Sequence, residues 1–175
     1  SWGAVEAKAN GQNGSGDFEV TLDRARLAGS GGSAKDGLKL DGHFDLTAST
    51  LDLRQLDFRL AGSGMKLAEP VRLTLNDGIR ITPLSLTFLP KGQMTAEVDL
   101  TPGAMKIKAD VKALPYSLLK SFGVESPDGT LQSFTADLLQ GPAGLAGDFS
   151  LKTQVAAKEL KNIQPVLELQ GTLSD

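Results

Sequence analysis

The 175-residue chain has no cysteine and only one histidine, one tryptophan and one tyrosine. Without Cys there is no disulfide framework, no thiolate metal site and no cysteine nucleophile. Its lack does not fix a compartment, since proteins of either redox environment can do without it. Lys and Arg number 18 against 21 Asp and Glu, a net charge of −3. The cation surplus that displaces counterions from a nucleic-acid backbone is therefore missing, and no nucleic-acid partner is expected. No apolar run reaches the ~18 residues of a spanning helix, and no charged-then-apolar leader opens the chain. Nothing here is expected to insert in a membrane by itself. Ser1-Trp2-Gly3-Ala4 reads as the middle of something longer, with any export signal or anchor outside this chain.

What is abundant is period two. Leu38, Leu40, Phe44, Leu46 and Ala48 share one parity, with Lys39, Asp41, His43, Asp45 and Thr47 on the other. Successive strand side chains point to opposite faces, so this is one apolar face and one wet face, as in antiparallel sheets. The alternation recurs in Phe18-Val20-Leu22, Leu56-Phe58-Leu60, Val71-Leu73-Leu75, Leu84-Leu86-Phe88, Met94-Ala96-Val98-Leu100, Met105-Ile107-Ala109-Val111, Phe149-Leu151-Thr153-Val155 and Leu167-Leu169. Turn signals separate these runs at Asn10-Gly11, Gly29 to Ser33, Gly62-Ser63-Gly64, Asn76-Asp77-Gly78, Pro90-Lys91-Gly92 and Pro102-Gly103. The phase slips between Leu53 and Leu56, and between Ile81 and Leu84 around Pro83, predict bulges that keep the apolar face inward as the sheet curls. Leu114 to Gly123, with Pro115 near its start and apolar Leu118, Leu119 and Phe122, predicts one short helix. Ala156 to Ile163 reads equally as helix or as strand end plus loop. Loose repetition, Arg26 to Gly31 recurring at Arg59 to Gly64, suits an elongating β array.

The catalytic inventory is nearly empty. A Ser-His-Asp triad would have to use His43, and the Gly-Ser clusters sit at hairpins rather than at a strand-to-helix elbow. No Gly-rich loop opens a helix to cradle phosphate. Asp41, His43 and Asp45 share one strand face and carry metal-ligating groups. Alternate strand residues stand about 6.5–7 Å apart, so a solvated charged face is the plainer reading. Outward carboxylates such as Asp41, Asp45, Asp99 and Asp110 read as solubility and edge protection. Glu69 is the exception, sharing parity with Leu67 and Val71. What remains is the apolar face, either a closed sandwich core or the lining of an open groove, where each buried methylene is worth about 0.8 kcal/mol.

The stretch Pro70-Val71-Arg72-Leu73-Thr74-Leu75-Asn76-Asp77-Gly78-Ile79-Arg80-Ile81-Thr82-Pro83-Leu84-Ser85-Leu86 resembles the repeat of the TamB/AsmA-like family. So do Leu114 to Phe122 followed by Asp128-Gly129-Thr130-Leu131, and the Gly-punctuated strand pair from Ala136 to Phe149. The match covers about residues 66–155. Gly141-Pro142-Ala143-Gly144 departs from the longer Gly-to-Pro spacing usual in the family. The resemblance implies an elongated β-groove, the β-taco, in a Gram-negative periplasm, in a parent anchored in the inner membrane. It implies phospholipid movement between the membranes and work on outer-membrane proteins with an Omp85-type partner, with no catalytic residues and no cofactor.

The expectation is thus a mostly β fold: a curled antiparallel sheet forming an elongated apolar groove, with one short α-helix. Residues 1–113 form a first block, 114–123 the helix, and 124–175 a second block continuing the same groove. The lining positions are Phe18, Val20, Leu22, Leu38, Leu40, Phe44 and Leu46 in the first runs, then Leu56, Phe58, Leu60, Val71, Leu73 and Leu75. They continue as Ile79, Ile81, Leu84, Leu86, Phe88, Met94, Val98, Leu100, Met105, Ile107 and Val111. Beyond the helix, where Leu118 and Phe122 plug or close one end, they are Phe134, Leu138, Phe149, Leu151, Val155, Leu167 and Leu169. The expected function is passive cradling of phospholipid acyl chains. The alternatives are an assembly module that holds nascent outer-membrane β-strands, and a closed barrel or sandwich binding a small apolar ligand.

Overall fold

The alternating runs become strands of one sheet. The computed structural model describes residues 5–23, 36–60, 62–126, 128–142, 144–155 and 166–174. In chain order the elements are β1 (Val5–Gln12), β2 (Ser15–Asp23), β3 (Gly37–Asp45), β4 (Thr50–Leu60), β5 (Ser63–Leu67), β6 (Val71–Thr74), β7 (Ile79–Leu89), β8 (Gln93–Thr101) and β9 (Ala104–Pro115). There follow α1 (Tyr116–Ser121), β10 (Gly129–Gly141), β11 (Gly144–Val155) and β12 (Val166–Leu173). The sheet is antiparallel and a meander, ordered β1-β2-β3-β4-β5-β7-β8-β9-β10-β11-β12. β5 and β6 lie end to end: β4 pairs with β5 through Asp57–Leu60 and with β6 through Thr50–Leu53, and β7 pairs with both. The exposed Ala68-Glu69-Pro70 stretch interrupts them, where Pro70 has no N–H to give to a ladder. Glu69 therefore sits in a break, not on the apolar face.

Bulges appear where the apolar parity slips. Asp41 faces Gln55 while Gly42 faces Leu53, which leaves Arg54 as the extra residue. Ile81 faces Val98 while Leu84 faces Ala96, so the extra residue falls at Thr82-Pro83. A third, not foreseen, puts Leu131 opposite Thr153 and Ser133 opposite Lys152, with Gln132 unpaired. Each inserts one residue, so apolar side chains before and after it stay on the same face while the strand bends. The curl is visible at α1, which lies against β5, β9 and β10. On a flat sheet β5 and β9, three places apart, would be about 14 Å apart, and a six-residue helix is only about 9 Å long. The sheet bends toward the helix.

Several local expectations change. The first hairpin turns at Asn13-Gly14, both at positive φ (53° and 83°), and Asn10-Gly11 lies within β1. β1 itself escaped notice because Val5, Ala7 and Ala9 are too small a signal on an exposed edge strand. The helix begins later than expected: β9 continues to Pro115, which caps α1. β9 and β10 pair from Met105 to Pro115 across the α1 connection. Arg26 to Gly31, the Gly29–Ser33 turn and Ala156 to Ile163 lie outside the described residues.

Candidate functional site: the apolar face of the sheet

Residues directly opposite each other in paired strands share a face, so the registers define the face without reference to its side-chain contacts. One row runs Gly16, Phe44, Leu51, Leu73, Ile81, Val98, Ile107, Leu138, Gly147 and Leu173. It crosses nine strand intervals, about 43 Å along the sheet, without a polar side chain. A second runs Leu67, Leu86, Met94, Val111, Phe134, Leu151 and Leu169. A third runs Val5, Leu22, Leu38, Phe58, Met65 and Phe88. Between the first two lie Leu84, Ala96, Ala109, Ala136, Phe149 and Gly171.

The other expected lining positions fall beside these rows. Val20, Leu40 and Leu56 are in line, as are Ile79, Leu100 and Met105. Phe18 faces Gly42, which leads through Leu53 to Val71. A Cβ on Gly42 would lie 2.7 Å from the Phe18 ring, and one on Gly171 would lie 2.6 Å from that of Phe149. Each glycine leaves the space its cross-strand ring fills. Leu60 faces Ser63, Leu167 faces Thr153, and Val155 pairs with Gly129. Leu46 and Leu75 do not join the face: they fall outside β3 and β6 and are 71% and 51% exposed. Leu51, Leu53, Met65, Leu67 and Leu131 belong to the face but were missed as lining. Leu51, Leu53 and Leu131 lie across a bulge from the dominant parity, and Met65 and Leu67 lie in a strand of only five residues.

Coverage of this face is partial. Phe58, Leu86, Phe88, Val111 and Leu118 form the buried cluster, with Leu38, Leu56, Met65, Leu84, Met94 and Phe134 half-buried around it. Among the described residues no side chain is fully buried, and Ile79, Leu167 and Leu169 are 42%, 61% and 53% exposed. Two sheets packed face to face would bury these rows. Here α1 is the one layer over them among the described residues. Leu118 is its buried residue, and Phe122 stacks on Phe58 with ring centroids 5.0 Å apart. The Ser63 hydroxyl donates to Ser117 Oγ (2.6 Å), the Tyr116 hydroxyl meets that of Thr153, and Ser126 Oγ donates to the Tyr116 carbonyl (3.1 Å). The buried hydroxyls beneath the helix thus have partners.

The opposite face is a ladder of charge. Asp52–Arg72, Asp57–Lys66, Arg80–Asp99, Lys108–Asp137 and Lys152–Glu168 are each both register partners and ion pairs. Hydrogen bonds from Arg72 hold the Asp52 carboxyl below its ordinary range, and those from Arg59 do the same for Asp57. The hydrogen bond to Asp137 raises Lys108. Arg54, the bulge residue, donates to the Gly42 carbonyl (3.0 Å), to Asp41 (3.1 Å) and to Asp17 (3.0 Å). Depressions of about 530 and 470 Å³ also lie on this side, the first between Thr135, Asp137, Asp148, Ser150 and Gln170, the second between His43, Asp52, Arg54 and Arg72.

Asp41, His43 and Asp45 go to three different partners. Asp41 accepts from Arg54, Asp45 accepts from the Thr47 and Ala48 N–H groups, and His43 Nδ1–H donates to Asp17 (3.1 Å). Ser15 Oγ donates to His43 Nε2 (3.0 Å), which puts hydroxyl, imidazole and carboxylate in line. Yet Asp17 is shared with Arg54 and is 59% exposed. Neither depression that takes in Asp17 or His43 includes Ser15. The arrangement is a cross-strand polar contact that fixes the β2–β3 register. No helix among the described residues is long and apolar enough to cross a membrane. Comparison with protein-family models, curated proteins and solved structures finds no match for the chain.

Proposed function

We propose that this chain is a periplasmic segment of a TamB/AsmA-like envelope protein, and that its apolar face cradles phospholipid acyl chains in transit between inner and outer membranes. The observation that carries the reading is the uninterrupted apolar row from Phe44 to Leu138, lying on a face that no second sheet covers among the described residues. A bilayer's hydrocarbon core is about 30 Å thick, so one acyl chain reaches about 15 Å. The rows offer more than that length, and at about 0.8 kcal/mol per buried methylene they hold a tail with no charged or catalytic group. The headgroup remains in water, which suits the neutral, aliphatic lining. The role is passive, without chemistry on the lipid. Organic extraction of the purified chain, with phospholipid quantified per chain, tests it: bound phospholipid supports the reading, and a lipid-free chain that takes up none from vesicles contradicts it.

The outer strands of the described sheet favour a second reading, an assembly module working with an Omp85-type outer-membrane partner. β1 and β12 are each eight residues long, without Pro, the kind of edge that accepts a further strand. Nascent outer-membrane β-strands, with their own apolar–polar alternation, would match Leu167 and Leu169 on the apolar side and Glu168 on the other.

A further inference from the structure

We propose that α1 is a displaceable cover, and that Leu118 and Phe122 occupy an acyl-chain subsite floored by Phe58, Leu86, Phe88 and Val111. The inference rests on the acyl-cradling reading above and adds a gate to it. The floor is the cluster in which buried apolar side chains meet, and Leu118, itself 3% exposed, closes it. The row through Leu86 and Val111 continues from under the helix through Phe134 and Leu151 to Leu169, which is 53% exposed. A linear hydrocarbon lying along that row would run into α1, and no polar group on the row stops it earlier. This continuity makes an extended acyl chain the occupant.

The helix has little hold of its own. It has six residues, no side-chain cap at Pro115 and no acidic residue in its first turn, and a helix of fewer than two turns is unstable without tertiary support. Its form therefore depends on the face beneath it. Exchanging Leu118 for acyl methylenes replaces one apolar contact by another of the same chemistry, so the floor stays covered in both states. The hydroxyl ties hold the beginning of the helix, Ser117 to Ser63 and Tyr116 to Thr153 and Ser126. Its last turn is tied to the segment before β10 by the exposed Lys120–Asp128 ion pair (2.6 Å), a contact worth little in water. At the other end the chain turns at Gly123, whose φ of +79° suits glycine.

The 2.6 Å contact between Ser63 and Ser117 allows the gate to be locked. The chain has no other thiol, so Ser63→Cys with Ser117→Cys gives one possible disulfide, between β5 and α1. Binding of cis-parinaric acid, a fluorescent polyene fatty acid, is measured on the 175-residue chain with that pair oxidised and then reduced. The proposal predicts at least tenfold weaker binding in the oxidised form, with recovery on reduction. Equal binding in both forms overturns the gate and leaves the acyl-binding face standing. No binding in either form, nor by the unaltered chain, overturns the acyl-cradling reading and the gate with it. Failure of the pair to oxidise contradicts the closed contact itself. Leu118→Ala provides the independent check, since it weakens the cover without touching the floor. At least threefold tighter probe binding is expected, and unchanged or weaker binding overturns the proposal.

Discussion

Phe122, which ends α1, lies on the ring of Phe58 in β4, with centroids 5.0 Å apart and planes inclined by 26°. The two rings differ in burial: Phe58 is 6% exposed and Phe122 53%. Phe58→Ala empties a site surrounded by Leu38, Met65 and Phe88 and is expected to cost about 3–5 kcal/mol. Phe122→Ala removes one stacked pair from the surface, about 1 kcal/mol. Urea unfolding midpoints at constant slope measure both.

Ile107 and Val111 separate the two halves of the apolar face within one strand. Both point the same way from β9, but Val111 is buried near Leu118 and Ile107 is half-buried, away from the helix. Val111→Arg places a guanidinium without a partner among apolar side chains, and the domain is expected to unfold. Ile107→Arg is expected to leave the circular-dichroism spectrum and melting cooperativity intact while abolishing acyl-probe binding. Unfolding in both variants would mean that the face is a closed core.

Much of this face was legible in the sequence, because period-two alternation was dense where strands are central and long. From Leu84 to Val111 the parity of the apolar residues gave the face directly, and the slips near Arg54 and Pro83 marked bulges that the registers place there. The rest failed for local reasons. Leu46 and Leu75 continue the parity of their strands past the point where the chain turns, and periodicity has no means of stopping. β1 carries Val5, Ala7 and Ala9, a signal too small to distinguish an edge strand from a loop. The use of Phe18 and Phe149 to fill the space over Gly42 and Gly171 is a cross-strand event, fixed by register rather than by neighbours in sequence.

Those two glycines differ in what surrounds them. A Cβ on Gly42 would meet the Asp52 carbonyl at 2.4 Å as well as the Phe18 ring, whereas the three atoms nearest to one on Gly171 all belong to the ring of Phe149. Backbone cannot yield as a ring can. Gly42→Ala is expected to lower stability by about 1–3 kcal/mol and Gly171→Ala by clearly less, compared by thermal melting.

Arg54 ties the β3–β4 bulge through the Gly42 carbonyl, Asp41 and Asp17. It is about half exposed, so the ion pairs themselves contribute little, and the carbonyl contact carries more. Arg54→Met is expected to cost about 1 kcal/mol and to speed amide exchange at Gly42 and Leu53 before the rest of the sheet.

Acid should weaken the polar face first. The Arg72 hydrogen bonds hold Asp52, and the Arg59 hydrogen bonds hold Asp57, below the ordinary carboxylate range. With folded values depressed, the unfolded chain takes up protons first as pH falls. The stabilisation is therefore complete above the ordinary aspartate value of about 3.9 and is lost as pH drops through the lower folded values. Melting temperature should decline below about pH 4, and Arg59→Met with Arg72→Met should flatten that decline.

The central claim is that the apolar face is open to lipid, and Val98 is the place to ask. It lies in the row between Ile81 and Ile107, away from α1. A photoreactive phenylalanine analogue in place of Val98 is irradiated in the purified chain mixed with phosphatidylethanolamine vesicles, and the products are read by mass spectrometry. The account predicts a phospholipid adduct at that position. Crosslinks found solely within the chain would contradict it, because they would mean that the face is packed against protein.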